Sequence, residues 1–165
     1  MYAVYLVASP NTVTIINNQD VSYNFLQTVT PSFNINIKFD VLYQGGTELF
    51  TLQSSTNVNL NYNIQIEGYV ENGYLELGLY YVASPVYLPV NTKIIGDGAW
   101  HTVNIIITNA TLVVKIDTAS DFTYTGNKGL YTSPGYILNR FVVGMNFGYT
   151  VPAGKTNSYR NIYIY

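Results

Sequence analysis

The sequence predicts an all-β domain, a sandwich or a barrel. Apolar and polar residues alternate along most of its length, turn signals recur at short intervals, and no stretch combines helical period with helix caps. At 165 residues the chain is the size of one ordinary domain, 1–165, with no composition shift to mark an internal boundary.

The elements follow in order. Tyr2–Val7, Val13–Ile16 and Val21–Leu26 read as short strands. In Phe33–Val41 every odd residue is apolar and every even one polar, the pattern of a half-buried strand. Glu48–Gln53 is a further short strand. Ile64–Val70 and Leu75–Tyr81 flank Asn72-Gly73, a dipeptide that suits a type I′ hairpin turn because both central residues need positive φ. That turn sets the register: Val70 faces Leu75, Ile66 faces Leu79 and Ile64 faces Tyr81, so one side of the hairpin is apolar throughout. The other side collects Gln65, Glu67, Tyr69, Tyr74, Glu76 and Tyr80. A third hairpin joins His101–Ile107 to Leu112–Asp117 through Asn109-Ala110, with Ile106 and Val113 in phase on its outer side. Tyr136–Val143 and Tyr159–Ile164 complete the set.

Composition excludes several functions. With no cysteine there is no disulfide, cysteine zinc site or thiol nucleophile. Seven Lys+Arg against nine Asp+Glu give a net charge of -2 and no basic face for nucleic acid. Charged residues are only 10% of the chain, and 17 tyrosines with many Asn and Thr supply the polarity instead. No window is apolar for long enough to span a membrane, and Met1–Val7 lacks the basic flank of a secretory signal.

The run Gly96-Asp97-Gly98-Ala99-Trp100-His101-Thr102-Val103 resembles the laminin G-like signature, in which an Asp-Gly turn leads through Trp-His into a long strand. The Val21–Phe25 and Phe33 strands are similar to that family's opening strands, and Tyr159–Ile164 to its terminal strand, without the Cys usual there. The resemblance spans nearly the whole chain. It implies a concanavalin A-like jelly-roll sandwich of two antiparallel sheets with the first and last strands close together. It further implies binding of glycans, sulfated polysaccharides or cell-surface proteins, in some members through a rim calcium. The five aspartates form no loop motif to which such calcium ligands can be assigned. The composition also resembles that of structural proteins of archaeal viruses.

Among individual residues, His101 lies in phase with Val103 and Ile105 and reads as a hydrogen-bonded core histidine, and Trp100 as a core plug in the family-like turn. Zinc is disfavoured, since only carboxylates and one histidine could hold it. Asn109-Ala110-Thr111 matches a glycosylation acceptor, a pattern frequent by chance in an Asn/Thr-rich chain. Glu67 and Glu76 are diagonal neighbours, roughly 7–8 Å apart, within the range of paired glycosidase carboxylates. The Glu-x-Asp-x-Glu strand of jelly-roll glycosidases is missing, so the expectation is a protein that is not an enzyme.

The expected function is a non-catalytic, lectin-like attachment module on a virion or extracellular surface. Its partner would be a glycan or a cell-surface or virion protein, with self-association through Ile106 and Val113 as the alternative and hydrolysis by Glu67 and Glu76 as a third reading. Asn63, Gln65, Glu67, Tyr74, Glu76 and Tyr80 form the expected ligand-binding face, extended by Asn34, Asn36 and Lys38 if their strand joins that sheet. Rim loop 123–134, with Tyr124 and Tyr131, competes with it.

Overall fold

The computed structural model describes residues 7–15, 20–28, 34–46, 48–53, 65–80, 86–108, 110–125, 137–144 and 151–165. Among these the regular structure is strand only: β1 (Val7–Ser9), β2 (Val13–Ile15), β3 (Val21–Thr28), β4 (Asn34–Leu42), β5 (Phe50–Gln53), β6 (Gln65–Glu71), β7 (Tyr74–Tyr80), β8 (Val86–Ile94), β9 (Trp100–Thr108), β10 (Leu112–Ile116), β11 (Phe122–Tyr124), β12 (Ile137–Val143) and β13 (Asn157–Ile164). They form a seven-stranded sheet, β1-β13-β4-β9-β10-β11 with β2 beside β13, and a six-stranded sheet, β3-β12-β5-β6-β7-β8. Every pairing is antiparallel, and the first described strand pairs with the last through Val7 opposite Ile164.

The expected hairpins stand in register. Asn72 and Gly73 take φ of 51° and 85°, as a type I′ turn requires, and Val70 pairs with Leu75 and Ile66 with Leu79. The expected Ile64–Tyr81 pair lies outside the described residues. In the third hairpin Ile106 pairs with Val113.

Alternation aims one face of each sheet at the other. Ile35, Ile37, Phe39, Val41, Val103, Ile105 and Ile107 from one sheet meet Phe50, Leu52, Ile66, Leu75, Leu77, Leu79 and Phe141 from the other, all with no exposed surface. Phe39 joins the layers, with ring centroids 5.8 Å from Phe50 and 5.7 Å from Phe141. Gly68, the strand partner of Phe50, is glycine for a steric reason: a Cβ there would lie 2.3 Å from Phe50 Cε1.

Two strands had no expectation. β8 carries Pro89 and buries only Val90 completely, which suits an edge strand, and β11 is a short edge of the other sheet. Two expectations are corrected. Strand β4 belongs to the seven-stranded sheet, so Asn34, Asn36 and Lys38 do not extend the face of the β6–β7 hairpin. Trp100 is not a core plug. It shares the outward phase of Thr102 and Asn104, and the Arg160 guanidinium lies 4.1 Å from its ring centroid.

Candidate functional site

The outer face of the six-stranded sheet is an ordered grid. Cross-strand pairing lines up Ser22, Val142, Thr51, Glu67, Gly78 and Tyr87 in one row running from β3 through β12, β5, β6 and β7 to β8. The row on one side contains Asn24, Arg140, Gln53, Gln65 and Tyr80, and the row on the other contains Tyr69, Glu76 and Pro89. Tyr74 stands beyond these, opposite Glu71.

Glu67 occupies the centre, and alternation alone puts it there, between the inward Ile66 and Gly68. It is only 4% exposed, and its carboxylate accepts a hydrogen bond from the Tyr69 hydroxyl. Its neighbour across the sheet is Gly78, so no side chain stands against it from β7.

Glu48, just before β5, is 1% exposed and accepts a hydrogen bond of 3.0 Å from the Thr51 hydroxyl, whose residue is the strand partner of Glu67. The position of Glu48 is held by the bond from the Leu49 amide to the Gly68 carbonyl, 2.7 Å. Burial, and then the Glu67 charge, push the Glu48 carboxyl up to about 8 against the smaller opposing effect of the Thr51 hydrogen bond. Two carboxyls in a poorly solvated place do not both ionise, so Glu48 carries a proton at neutral pH beside Glu67. A proton-bearing acid next to a second carboxyl is the arrangement from which general acid–base chemistry is built.

Of the expected binding residues, Glu67, Tyr74 and Glu76 lie on this one face, with Tyr74 and Glu76 half-exposed. Gln65 and Tyr80 pair directly with each other in the backbone, while their side chains, and Asn63 altogether, lie outside the described residues. Glu67 and Glu76 are diagonal across β6 and β7 as expected, but it is Glu48 that couples electrostatically to Glu67. The sequence expectation put Glu48 at the head of a strand Glu48–Gln53 and gave it no role, whereas the strand begins at Phe50 and Glu48 stands outside its alternation. The scarcity of glutamate, four in the chain, is the signal that could have found it. Sequence reasoning also missed Tyr87, 52% exposed on β8 next to Gly78. On the competing rim, Tyr124 is the last residue of β11 and Tyr131 lies outside the described residues, as does Asn109 of the glycosylation pattern.

A second polar cluster is structural. His101, 4% exposed, bonds Asp117 Oδ2 through Nδ1 at 2.8 Å and Asp97 Oδ1 through Nε2 at 2.9 Å, as a hydrogen-bonded core histidine should. Burial alone would lower its pKa, but the bonds to Asp117 and Asp97 raise it above the usual value. Asp117 also receives Lys93 and the Thr102 amide, and despite its partial burial these donors and His101 bring it down to about 2.

Among the described residues no three histidine or carboxylate side chains gather as a group that could hold a metal ion, and Asp40, Asp97 and Asp117 are each engaged by protein donors.

No protein-family model matches the sequence, and no curated protein matches it. Solved structures do. Domains LG4-5 of the mouse laminin α1 chain superpose with a TM-score of 0.64 at 11% identity, over 99% of this chain and 44% of that one. A putative β-glucanase from Mycobacterium abscessus gives 0.62 at 16% identity, over 93% and 75%. An alginate lyase from a Chlorella virus gives 0.61 at 10% identity, over 93% and 83%. These likenesses overturn the expectation that the protein is not an enzyme, which rested on a missing strand motif. The fold is shared with enzymes as well as binding domains, and the acid pair on the sheet, Glu48 with Glu67, is one that motif does not describe. The chain has the concanavalin A-like jelly-roll fold, of which the laminin G-like domain is one version.

Proposed function

We propose that the protein is a carbohydrate-directed domain that lays a polysaccharide along the outer face of its six-stranded sheet and cleaves it with Glu48 and Glu67. The buried carboxyl pair at the centre of a tyrosine-lined face carries this proposal. Glu48 holds a proton at neutral pH and is the donor to a glycosidic oxygen. Glu67 is the second carboxyl, positioned by Tyr69, that activates the attacking water. Tyr74 and Tyr87 offer ring faces to sugar C–H surfaces, and Glu76 accepts from sugar hydroxyls. The names of the putative β-glucanase and the alginate lyase, both cleaving polysaccharides, support the ligand class. A cell or virion surface, where such polymers are met, is the corresponding place of action, and the low charge and tyrosine-rich composition agree with it.

Incubation with a panel of neutral and acidic polysaccharides tests the proposal. Reducing ends should appear, and Glu48→Gln and Glu67→Gln should each slow their release by about 100-fold or more while the glycan is still retained on an affinity gel. Absence of both turnover and retention with every polysaccharide would falsify it.

One observation favours a second role, as a subunit of a particle. Ile106 and Val113 pair directly on the outer face of the seven-stranded sheet, both half-buried. Sedimentation at rising concentration should then show self-association that Ile106→Lys abolishes. A strictly monomeric wild type rejects it.

A further inference from the structure

Resting on the glycan-directed face proposed above, we infer that this face selects neutral polysaccharides and turns away uronate-bearing and sulfated ones. The basis is where the scarce cations went. The chain has seven Lys and Arg. Lys38 and Lys115 stand on the outer face of the seven-stranded sheet, and Arg160 on the same sheet is held by Asp40 and stacked on Trp100. Lys93, on the edge strand β8, is tied to Asp117 across the gap to the other sheet at 2.8 Å. Lys155 lies in the segment before β13, and Lys128 is outside the described residues. Among the described residues the outer face of the six-stranded sheet therefore holds Arg140 alone. That guanidinium is engaged by the Ser22 hydroxyl at 2.7 Å and faces Asp20 at 3.7 Å, at the β3–β12 end.

The same face carries Glu67, Glu76 and Glu71, with the protonated Glu48 just before β5 within electrostatic reach of Glu67. A hydroxyl-rich neutral chain finds what it needs there: carboxylates to accept from its hydroxyls, a protonated carboxyl to donate, and the rings of Tyr74 and Tyr87 for its C–H faces. A polyanion meets the carboxylates of Glu71 and Glu76 and, among the described residues, only the already engaged Arg140 to offset them. Like charges juxtaposed at a binding face cost affinity and slow encounter. Sulfated glycans, which the resemblance to laminin G-like domains implies as ligands, are therefore the wrong class for this face. So are polyuronates such as alginate, after which the similar Chlorella virus lyase is named.

Affinity electrophoresis and calorimetry with laminarin as the neutral probe, and alginate and heparin as the charged ones, read this directly. Laminarin should bind with an affinity that changes less than about twofold between about 50 and 300 mM NaCl, because no ion pair contributes. Alginate and heparin should bind at least about tenfold more weakly at low salt. Glu71→Gln with Glu76→Gln, at one exposed and one half-buried position, should narrow that gap by tightening alginate and heparin, beyond any weakening of laminarin from loss of the Glu76 acceptor. Tighter binding of alginate or heparin than of laminarin overturns the selectivity and leaves the glycan-directed function standing. Equal binding of all three, or an unchanged gap in the double variant, overturns it as well. Binding of none overturns the function itself.

Discussion

On the outer face of the seven-stranded sheet, Asp40 accepts hydrogen bonds from Thr102 and Asn161, each 2.7 Å, and sits against Arg160, whose guanidinium covers the Trp100 ring. On the outer face of the six-stranded sheet, Glu67 accepts from Tyr69 and stands near a second buried carboxyl, Glu48, which its charge helps to keep protonated. Both faces alternate, pair and twist in the same way, yet one has neutralised its carboxylate and the other has retained a proton. A neutralised carboxylate contributes to holding strands together and is chemically inert. A carboxyl kept protonated at neutral pH weakens the fold as pH rises and can move a proton.

The largest expected difference between the faces is therefore in pH dependence. Glu48 is raised from 4.5 to about 8 in the folded protein, so its contribution to stability is fully present below pH 4.5 and is lost as pH climbs through about 8. The slope approaches about 1.4 kcal/mol per pH unit inside that window, a few kcal/mol in total. Glu48→Gln should flatten urea midpoints between pH 5 and pH 8, and a variant that keeps the wild-type slope breaks the assignment of the proton.

Removing the carboxylate on the other face acts differently. Asp40→Ala leaves Thr102, Asn161 and Arg160 without their acceptor and should cost about 2 kcal/mol. A urea midpoint unchanged from that of the wild type would show that these bonds contribute nothing to holding the strands together.

Next comes the His101 cluster with Asp97 and Asp117 at the start of β9. His101 is raised above its usual 6.5, so its contribution is complete below that pH and declines as pH rises through the folded value. Asp117, lowered to about 2, contributes above pH 3.8 and loses that contribution as pH falls toward 2. Together with Glu48 these groups place the stability maximum near pH 4–5. Imidazole resonances followed by NMR should titrate above 6.5 in the wild type and return toward the usual value in Asp97→Asn. The smallest effect belongs to Lys115–Asp121, 3.3 Å apart with both side chains about half exposed, where Lys115→Ala should change stability by less than about 0.5 kcal/mol.

Much of this was determined by the sequence itself. Alternation and the Asn72-Gly73 turn settle the β6–β7 register, and with it the fact that Glu67, Tyr74 and Glu76 share a face. The phase of β9 likewise sends His101 inward. That phase also sends Trp100 outward, against the expectation taken from the family-like turn, and local alternation proved the better guide. Period two is a property of a strand alone, and any residue inside a strand inherits a face from it. What it cannot supply is the identity of the strand alongside. β4 alternates as regularly as β6 but joins the opposite sheet, because pairing is decided by which apolar faces fill the shared core. Glu48 has no strand phase at all. Its approach to Glu67 exists only once β5 pairs with β6, and only that pairing, by burying both carboxyls in one place, turns an ordinary glutamate into a proton carrier.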